Sequence, residues 1–416
     1  MSTGNSPGRA RYLNAAILAA TLTVALWAVA GPSVGAERAS TPPGENFYIW
    51  DGELPERPGT LLRRAALPDE MRLSGAGEHS RILYASTGGT DAAPTAVSGM
   101  LFVPEGAAPE GGWPLLAWAH GTRGLADHCA PSRTGVGAAT ASYLEAWLDA
   151  GYAVVATDYE GLGTPGLHPY LVKRAEGYGV LDSVRAARDA HEGIGEAVVI
   201  SGQSQGAGAV IAAAGLAPDY APEIDIAAVL ATGVPYQTGD MPTVSAIDPE
   251  RVDPGLAFAF YAGHVAQSLE PGLSASELVT DRAMAVYEAA AETCVGALMS
   301  RVVGAGLSFD EALQPDAIER LEAVLLRHYA YPTLDIRSPV FVGAGTADRL
   351  VDPRVQLRLV DDLCAAGTVV EANLYADADH IEAWLASLND ALDFAERARM
   401  GGLIEPDCDP VPILGP

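Results

Sequence analysis

Between residues 81 and 234, short apolar runs alternate with longer stretches in which apolar positions recur every three or four residues. The runs at 81–87, 96–104, 115–120, 152–159, 197–202 and 227–234 read as strands. The stretches 138–150, 175–191 and 207–216 read as helices. The run 152–159 is almost continuously apolar rather than alternating, as expected of a strand buried on both faces. Two further runs, 340–345 and 370–375, and a long amphipathic stretch, 381–400, close the series. The pattern predicts an α/β chain with a mostly parallel sheet covered by helices on both faces.

About 100 residues separate the strand ending near 234 from the one starting at 340. A connection of that length inside an α/β unit must be structured in its own right. Its apolar spacing is helical over 255–268, 274–290 and 315–329. Residues 235–338 are therefore expected to form a helical cap inserted over the carboxyl edge of the sheet, where open α/β sheets bind ligands. Residues 76–234 and 339–416 are then the two parts of one core. The Pro- and Gly-rich stretch 37–75 reads as an extended arm.

The N-terminus follows a different logic. Arg9 and Arg11 precede an apolar stretch from about residue 13 to 30, and the small residues Val34, Gly35 and Ala36 follow. This is the order of a secretory signal over residues 1–36, and a membrane-anchoring helix is the alternative because the stretch approaches spanning length. Neither a cysteine for lipid attachment nor a twin arginine stands there. No other segment is apolar and long enough to span a membrane.

Charge narrows the partners. Lys and Arg number 25 against 53 Asp and Glu, a formal net charge of −28, and Lys173 is the only lysine. Loss of residues 1–36 removes two arginines and no acid, leaving −30. Such a chain lacks the cationic face needed to bind nucleic acid or an anionic membrane surface. With 49% hydrophobic and 19% charged residues, it is not disordered. In an exported chain the four cysteines, Cys129, Cys294, Cys364 and Cys408, are expected to form two disulfides, with three pairings open.

The strand 197–202 runs into Gly202-Gln203-Ser204-Gln205-Gly206 and then a helix. This is G-x-S-x-G in the strand–turn–helix setting of a nucleophile elbow. Ser201, inside the strand, is a rival hydroxyl with a structural role. A serine needs a base, and the base needs an orienting group. On this arrangement the acid and histidine follow late strands, in the order serine, acid, histidine. Asp348 follows strand 340–345 and His380 follows strand 370–375, so they are assigned as orienting carboxylate and general base. Asp352, Asp377 and Asp379 compete. Asp352 precedes Pro353 and reads as a helix cap, while Asp377 and Asp379 lie too near His380 in sequence. His120 ends strand 115–120, and the N–H of Thr122 just beyond it is the expected first oxyanion donor, with its hydroxyl as a possible aid and Arg123 or Gly124 as alternatives. The N–H of Gln205 is the expected second.

These residues also carry a family resemblance. Phe47-Tyr48, Pro58 through Arg63, His120-Gly121-Thr122 and Cys129-Ala130-Pro131-Ser132 match in order. Gly151 through Val155, Asp158 through Gly163, Leu181 through Arg185, Ser204-Gln205-Gly206 and Asp219 through Glu223 continue the match, and Gly345 through Asp348 and His380 close it. Over nearly all of the chain beyond the signal, the sequence resembles the secretory lipase family, α/β-hydrolases that include the lipase A type enzymes of yeasts and related actinobacterial proteins. The cap is the least similar part. The resemblance implies the α/β-hydrolase fold, an acyl tunnel under a helical cap, and the triad Ser204, Asp348 and His380. It also implies the pairings Cys129–Cys294 and Cys364–Cys408. The Asp158–Gly163 motif is read as a structural turn.

The expected function is that of a secreted serine esterase or lipase acting on acyl esters such as acylglycerols, at a lipid interface or free, with no metal or organic cofactor. A short-chain esterase, or an acyltransferase or peptidase with the same triad, is the alternative. A binding protein on a hydrolase scaffold is the reading from another class.

Overall fold

The computed structural model describes residues 47–237, 249–410 and 412–413. The expected signal, residues 1–36, and the first ten residues of the expected arm lie outside them. Among the described residues no helix is long and apolar enough to cross a membrane.

The strands are β1 (Leu61–Ala66), β2 (Ala76–Thr87), β3 (Pro94–Pro104), β4 (Trp113–Ala119) and β5 (Ala153–Thr157). They continue with β6 (Ile194–Gln203), β7 (Ile226–Thr232), β8 (Val340–Gly345), β9 (Val370–Tyr375) and β10 (Pro412–Ile413). All lie in one sheet, in the order β1-β2-β3-β5-β4-β6-β7-β8-β9-β10. Strands β1 to β3 pair antiparallel, as do β3 and β5; from β5 onward every pairing is parallel.

The connecting helices are α1 (Pro131–Thr134), α2 (Ala138–Asp149), α3 (Lys173–Ala190) and α4 (Gln205–Tyr220). Between β7 and β8 come α5 (Leu256–Leu269), α6 (Met284–Ala290), α7 (Val295–Gly304), α8 (Phe309–Ala312) and α9 (Ala317–Tyr329). The last are α10 (Pro353–Ala366), α11 (His380–Ala386) and α12 (Leu388–Arg399).

Side chains alternate along a strand, so the continuous apolar runs must meet two apolar layers. On β4, Leu115, Ala117 and Ala119 face a core shared with α3, α4 and α10, while Leu116 and Trp118 face one shared with α2 and α12. On β5, Ala153 and Val155 face the first layer and Val154 and Ala156 the second. This double burial is what fixes the α/β-hydrolase architecture of the chain. A third apolar cluster belongs to the insertion: Leu256, Phe260, Leu298, Leu321 and Leu325 pack together, and Tyr170, Leu171 and Val172 from the loop before α3 join them.

Four local departures from the sequence reading stand out. The arm supplies an edge strand, β1, whose Arg63 and Arg64 break the apolar signal but whose backbone pairs with β2. The expected helix over 381–400 divides at Ser387, whose hydroxyl donates to the Trp384 carbonyl and competes with the helical ladder. The stretch 274–290 is helical only as a 3₁₀ turn at Ala275–Glu277 and as α6. Helix α7 is an addition to the expected elements: its run is only ten residues long, starts just after Cys294 and buries Leu298 and Val302, one turn apart. The Asp158 turn is structural: its buried carboxylate accepts from Ser98 Oγ at 2.6 Å, from the Ser132 backbone at 3.0 Å, and from the Ser132 hydroxyl.

Cys129 is bonded to Cys294, and Cys364 to Cys408, the pairings implied by the family resemblance. The first joins the segment after β4 to the start of α7 across 165 residues, and the second joins α10 to the C-terminal tail across 44. On the chain-entropy model a closed loop of the second kind restricts the unfolded chain by about 4 kcal/mol. The double variant Cys364→Ser/Cys408→Ser is therefore expected to lose stability of that order in urea melts. A loss under about 1 kcal/mol would mean the tail bond is idle.

Candidate active site

Ser204 sits between β6 and α4 with φ +57 and ψ −120, a conformation a non-glycine residue holds only when its surroundings enforce it. The enforcement is visible. The Ser204 N–H donates to the Thr232 carbonyl at 2.9 Å, and its own carbonyl accepts from Gly208 at 3.2 Å. A Cβ on Gly206 would stand 1.9 Å from the Ala119 carbonyl oxygen, and one on Gly202 would stand 2.1 Å from that of Gly206. The two glycines of G-x-S-x-G are thus dictated by backbone approaching backbone. Ser201 lies inside β6, buried, with its hydroxyl 3.2 Å from Tyr143 Oη.

His380 opens α11. Asp379 caps that helix, accepting from the N–H groups of Ile381 and Glu382 while Glu382 answers the Asp379 N–H. The His380 Nδ1 lies 2.7 Å from Asp348 Oδ2, with both side chains nearly fully buried. Asp348 is itself fixed: Oδ1 accepts from the N–H groups of Leu350 at 2.8 Å and Val351 at 2.9 Å, and Oδ2 from Gln356 Nε2 at 3.0 Å. Asp352 caps α10, accepting from the Arg354 N–H at 2.8 Å, and Asp377 is exposed. The structure thus joins Asp348, and none of its rivals, to His380.

Ser204 and His380 share the wall of a cavity of about 670 Å³. Among the described residues there is no hydrogen bond between them, and Nε2 of His380 has no partner. Gly121 and Thr122 stand on the same wall. A Cβ on Gly121 would lie 3.5 Å from that of Ser204 and 2.5 Å from Gln203 Oε1, so the loop after β4 runs hard against the serine. The Thr122 hydroxyl lies 3.0 Å from Tyr170 Oη, either of which can donate to the other, and the Thr122 backbone N–H is one oxyanion candidate. Gln205, at the first position of α4, is the other. The rest of the wall is largely apolar: Trp118 and Trp384, stacked at 5.6 Å, with Leu350 and Ile381 from the core and Phe258, Val295 and Met299 from the insertion.

Sequence reading missed Gln356 and Gly233. Gln356 is on α10 and reaches Asp348 only after folding. Gly233 has φ +71, and a Cβ there would stand 2.6 Å from His380 Cε1. A glycine near the end of the expected strand 227–234 was the only available signal, since β7 ends one residue before it.

His120 lies beside the site but is neutral. It is buried, donates from Nδ1 to the Gly121 carbonyl at 2.7 Å, and packs on Tyr159 at 4.5 Å. Burial pulls its pKa down to about 3. An unfolded histidine takes up a proton near pH 6.5, so this depressed group contributes stability that is full above that pH and is lost as pH falls toward 3. Between pH 7 and pH 4 the contribution should shrink by about 3 kcal/mol. Urea melts at the two pH values should show a smaller drop for His120→Gln than for wild type; equal drops would refute the assignment.

Among the described residues, the one group of three potential metal ligands is His128, Cys129 and Cys294, and both sulfurs are tied up in a disulfide.

Comparison with known proteins gives a consistent picture. The family model described as secretory lipase matches residues 130–402. The chain is similar to lipase A of Moesziomyces aphidis, 25% identical over 290 residues, which are 64% of this chain and 59% of that protein. It thus spans about three-fifths of that relative's length. Among solved structures it is similar to Candida antarctica lipase A in its closed state, with a TM-score of 0.71 and 18% identity over 89% of this chain and 87% of that one. It is also similar to the rice cell wall degrading esterase LipA of Xanthomonas oryzae, with a TM-score of 0.63 and 18% identity over 82% and 98% of the two chains. A putative hydrolase of Legionella pneumophila gives a TM-score of 0.65 at 20% identity over 81% and 98%. At these identities the structural likeness speaks for the fold alone.

Proposed function

The chain belongs to the secretory lipase family, and from that premise we propose that it is a secreted serine carboxylic-ester hydrolase whose triad is Ser204, Asp348 and His380. The observation that carries this reading is the 2.7 Å contact of His380 Nδ1 with Asp348 Oδ2 on the wall that also presents Ser204 in a strained elbow.

Ser204 Oγ attacks the ester carbonyl while His380 Nε2, unpartnered among the described residues, takes its proton. The N–H groups of Thr122 and Gln205 receive the oxyanion, the latter helped by the N-terminal end of α4. His380 then protonates the departing alcohol. Water attacks the acyl-enzyme with His380 again as base, and His380 returns that proton to Ser204 Oγ as the acyl bond to it breaks and the acid leaves. Asp348 holds the imidazole in the tautomer with Nδ1–H and stabilises the imidazolium.

The insertion, residues 235–338, acts as the cap, with 76–234 and 339–416 as the two parts of the catalytic core. Phe258, Val295 and Met299 from the cap extend the apolar wall, which suits an acyl chain more than a polar one. Residues 1–36 direct secretion.

Rates on p-nitrophenyl esters of increasing acyl length test the substrate assignment. Turnover is expected to rise well beyond butyryl. Activity confined to acetyl and butyryl esters would replace lipase by short-chain esterase, and no turnover on any ester would sink the hydrolase reading.

A further inference from the structure

Behind Ser204 lies a buried polar cluster to which the reaction above assigns nothing. The side chain of Gln205 is turned away from the cavity and is only 1% exposed as a residue. Its amide nitrogen lies 2.9 Å from Glu176 Oε1 and 2.9 Å from His168 Nε2, one acceptor for each hydrogen. His168 can accept there because its Nδ1–H donates to the Glu160 carbonyl at 2.8 Å, and burial, which lowers its pKa to about 4, keeps the ring neutral. Glu176 Oε1 also accepts from the Leu171 N–H at 2.9 Å, and its Oε2 lies 3.5 Å from Lys173 Nζ. Lys173, the chain's only lysine, presses on the same turn of α4: a Cβ on Gly208 would stand 2.7 Å from its Nζ.

Burying a carboxylate, an amine, an imidazole and an amide together is costly, and it is tolerated only where each group is matched. Here they converge on one residue, the one after the nucleophile. An apolar anchor would hold the first turn of α4 down but leave it free to rotate. Two hydrogen bonds from one planar amide fix its orientation as well. Orientation is what this turn needs, because the positive φ of Ser204 stores strain that a small rotation of the turn would release.

We propose that Glu176 and His168 are positioning residues that clamp the Gln205 side chain and so keep its backbone N–H aimed at the oxyanion. The inference rests on the reading of that N–H as an oxyanion donor. Neither residue touches substrate; each acts through Gln205.

The test uses Gln205→Met, which keeps length and backbone but loses both donors, with His168→Phe and His168→Gln. The last variant places an acceptor oxygen where Nε2 stands. Rates are taken per active site titrated with a fluorophosphonate, so misfolded protein does not count. Gln205→Met and His168→Phe are expected to lose about 10- to 100-fold in kcat with little change in KM. Affinity for a long-chain trifluoromethyl ketone, which forms an oxyanion on the enzyme, should fall by the same factor as kcat/KM. His168→Gln should regain most of both. Wild-type kcat in Gln205→Met, or unchanged ketone affinity alongside a lost rate, would overturn the clamp, and the His168 pair decides the matter should Gln205→Met not fold. Wild type that turned over no ester would overturn the hydrolase reading and the clamp together, whereas active wild type with indifferent variants would overturn the clamp alone.

Discussion

Ser204→Ala is expected to lower ester turnover by about a million-fold while leaving the fold and the melting temperature nearly unchanged. The loss is large because no neighbour can replace the hydroxyl. Ser201, three residues earlier, is buried in β6 with its hydroxyl against Tyr143 and does not line the cavity that Ser204 and His380 share. The fold should survive because what holds the elbow is backbone: the Ser204 N–H on Thr232, the Gly208 N–H on the Ser204 carbonyl, and the glycine contacts at 202 and 206. The site left after the substitution still holds the Thr122 and Gln205 N–H groups, so a residual rate above water is expected. A fluorophosphonate should label wild type and not the variant. Equal labelling of the two, or a loss of turnover under about a hundredfold, would refute Ser204 as nucleophile.

The sheet was readable from sequence because both of its faces are covered. Strands such as β5, with Ala153 through Thr157 all buried, leave continuous apolar runs that single-sided strands do not. The edge strand β1 lacks that signature, since its arginines reach solvent and polar partners, Arg64 bonding Ser80 and Glu78 of β2, and only Leu61 packs on the core. The order of Ser204, Asp348 and His380 was readable because each follows a strand at the same edge. Their supports were not. Gln356, Gly233, Glu176 and His168 come from other elements, and their roles exist only in the packed chain. Lys173 was visible as an oddity of composition, yet nothing along the sequence says that it lies under the first turn of α4. In the insertion, α7 does carry a short helical period, with Leu298 and Val302 buried in the apolar cluster. The Cys129–Cys294 bond and the Val295 N–H donating to the Arg123 carbonyl at 2.9 Å add ties that no periodicity records.

Asp348→Asn is expected to cost about ten-thousandfold in kcat with KM nearly unchanged, and the hydrogen bonds around Asp348 say why. The N–H groups of Leu350 and Val351 both point at Oδ1, so an asparagine there must keep its carbonyl oxygen on that side. Its NH₂ then occupies the place of Oδ2, facing His380 Nδ1 and Gln356 Nε2. Toward His380 the amide donates instead of accepting, which forces the proton onto Nε2, the atom that must be free to take the Ser204 proton. Toward Gln356 two donors meet, so that bond is lost as well. The fold tolerates this, because the two backbone donors remain matched, and the expected loss of stability is about 1–3 kcal/mol. The rival carboxylates provide the control. Asp352→Asn and Asp379→Asn touch helix caps, where asparagine serves nearly as well as aspartate, so they should keep activity within a few-fold. Activity in Asp348→Asn that matched these two, at equal titrated sites, would remove Asp348 from the triad.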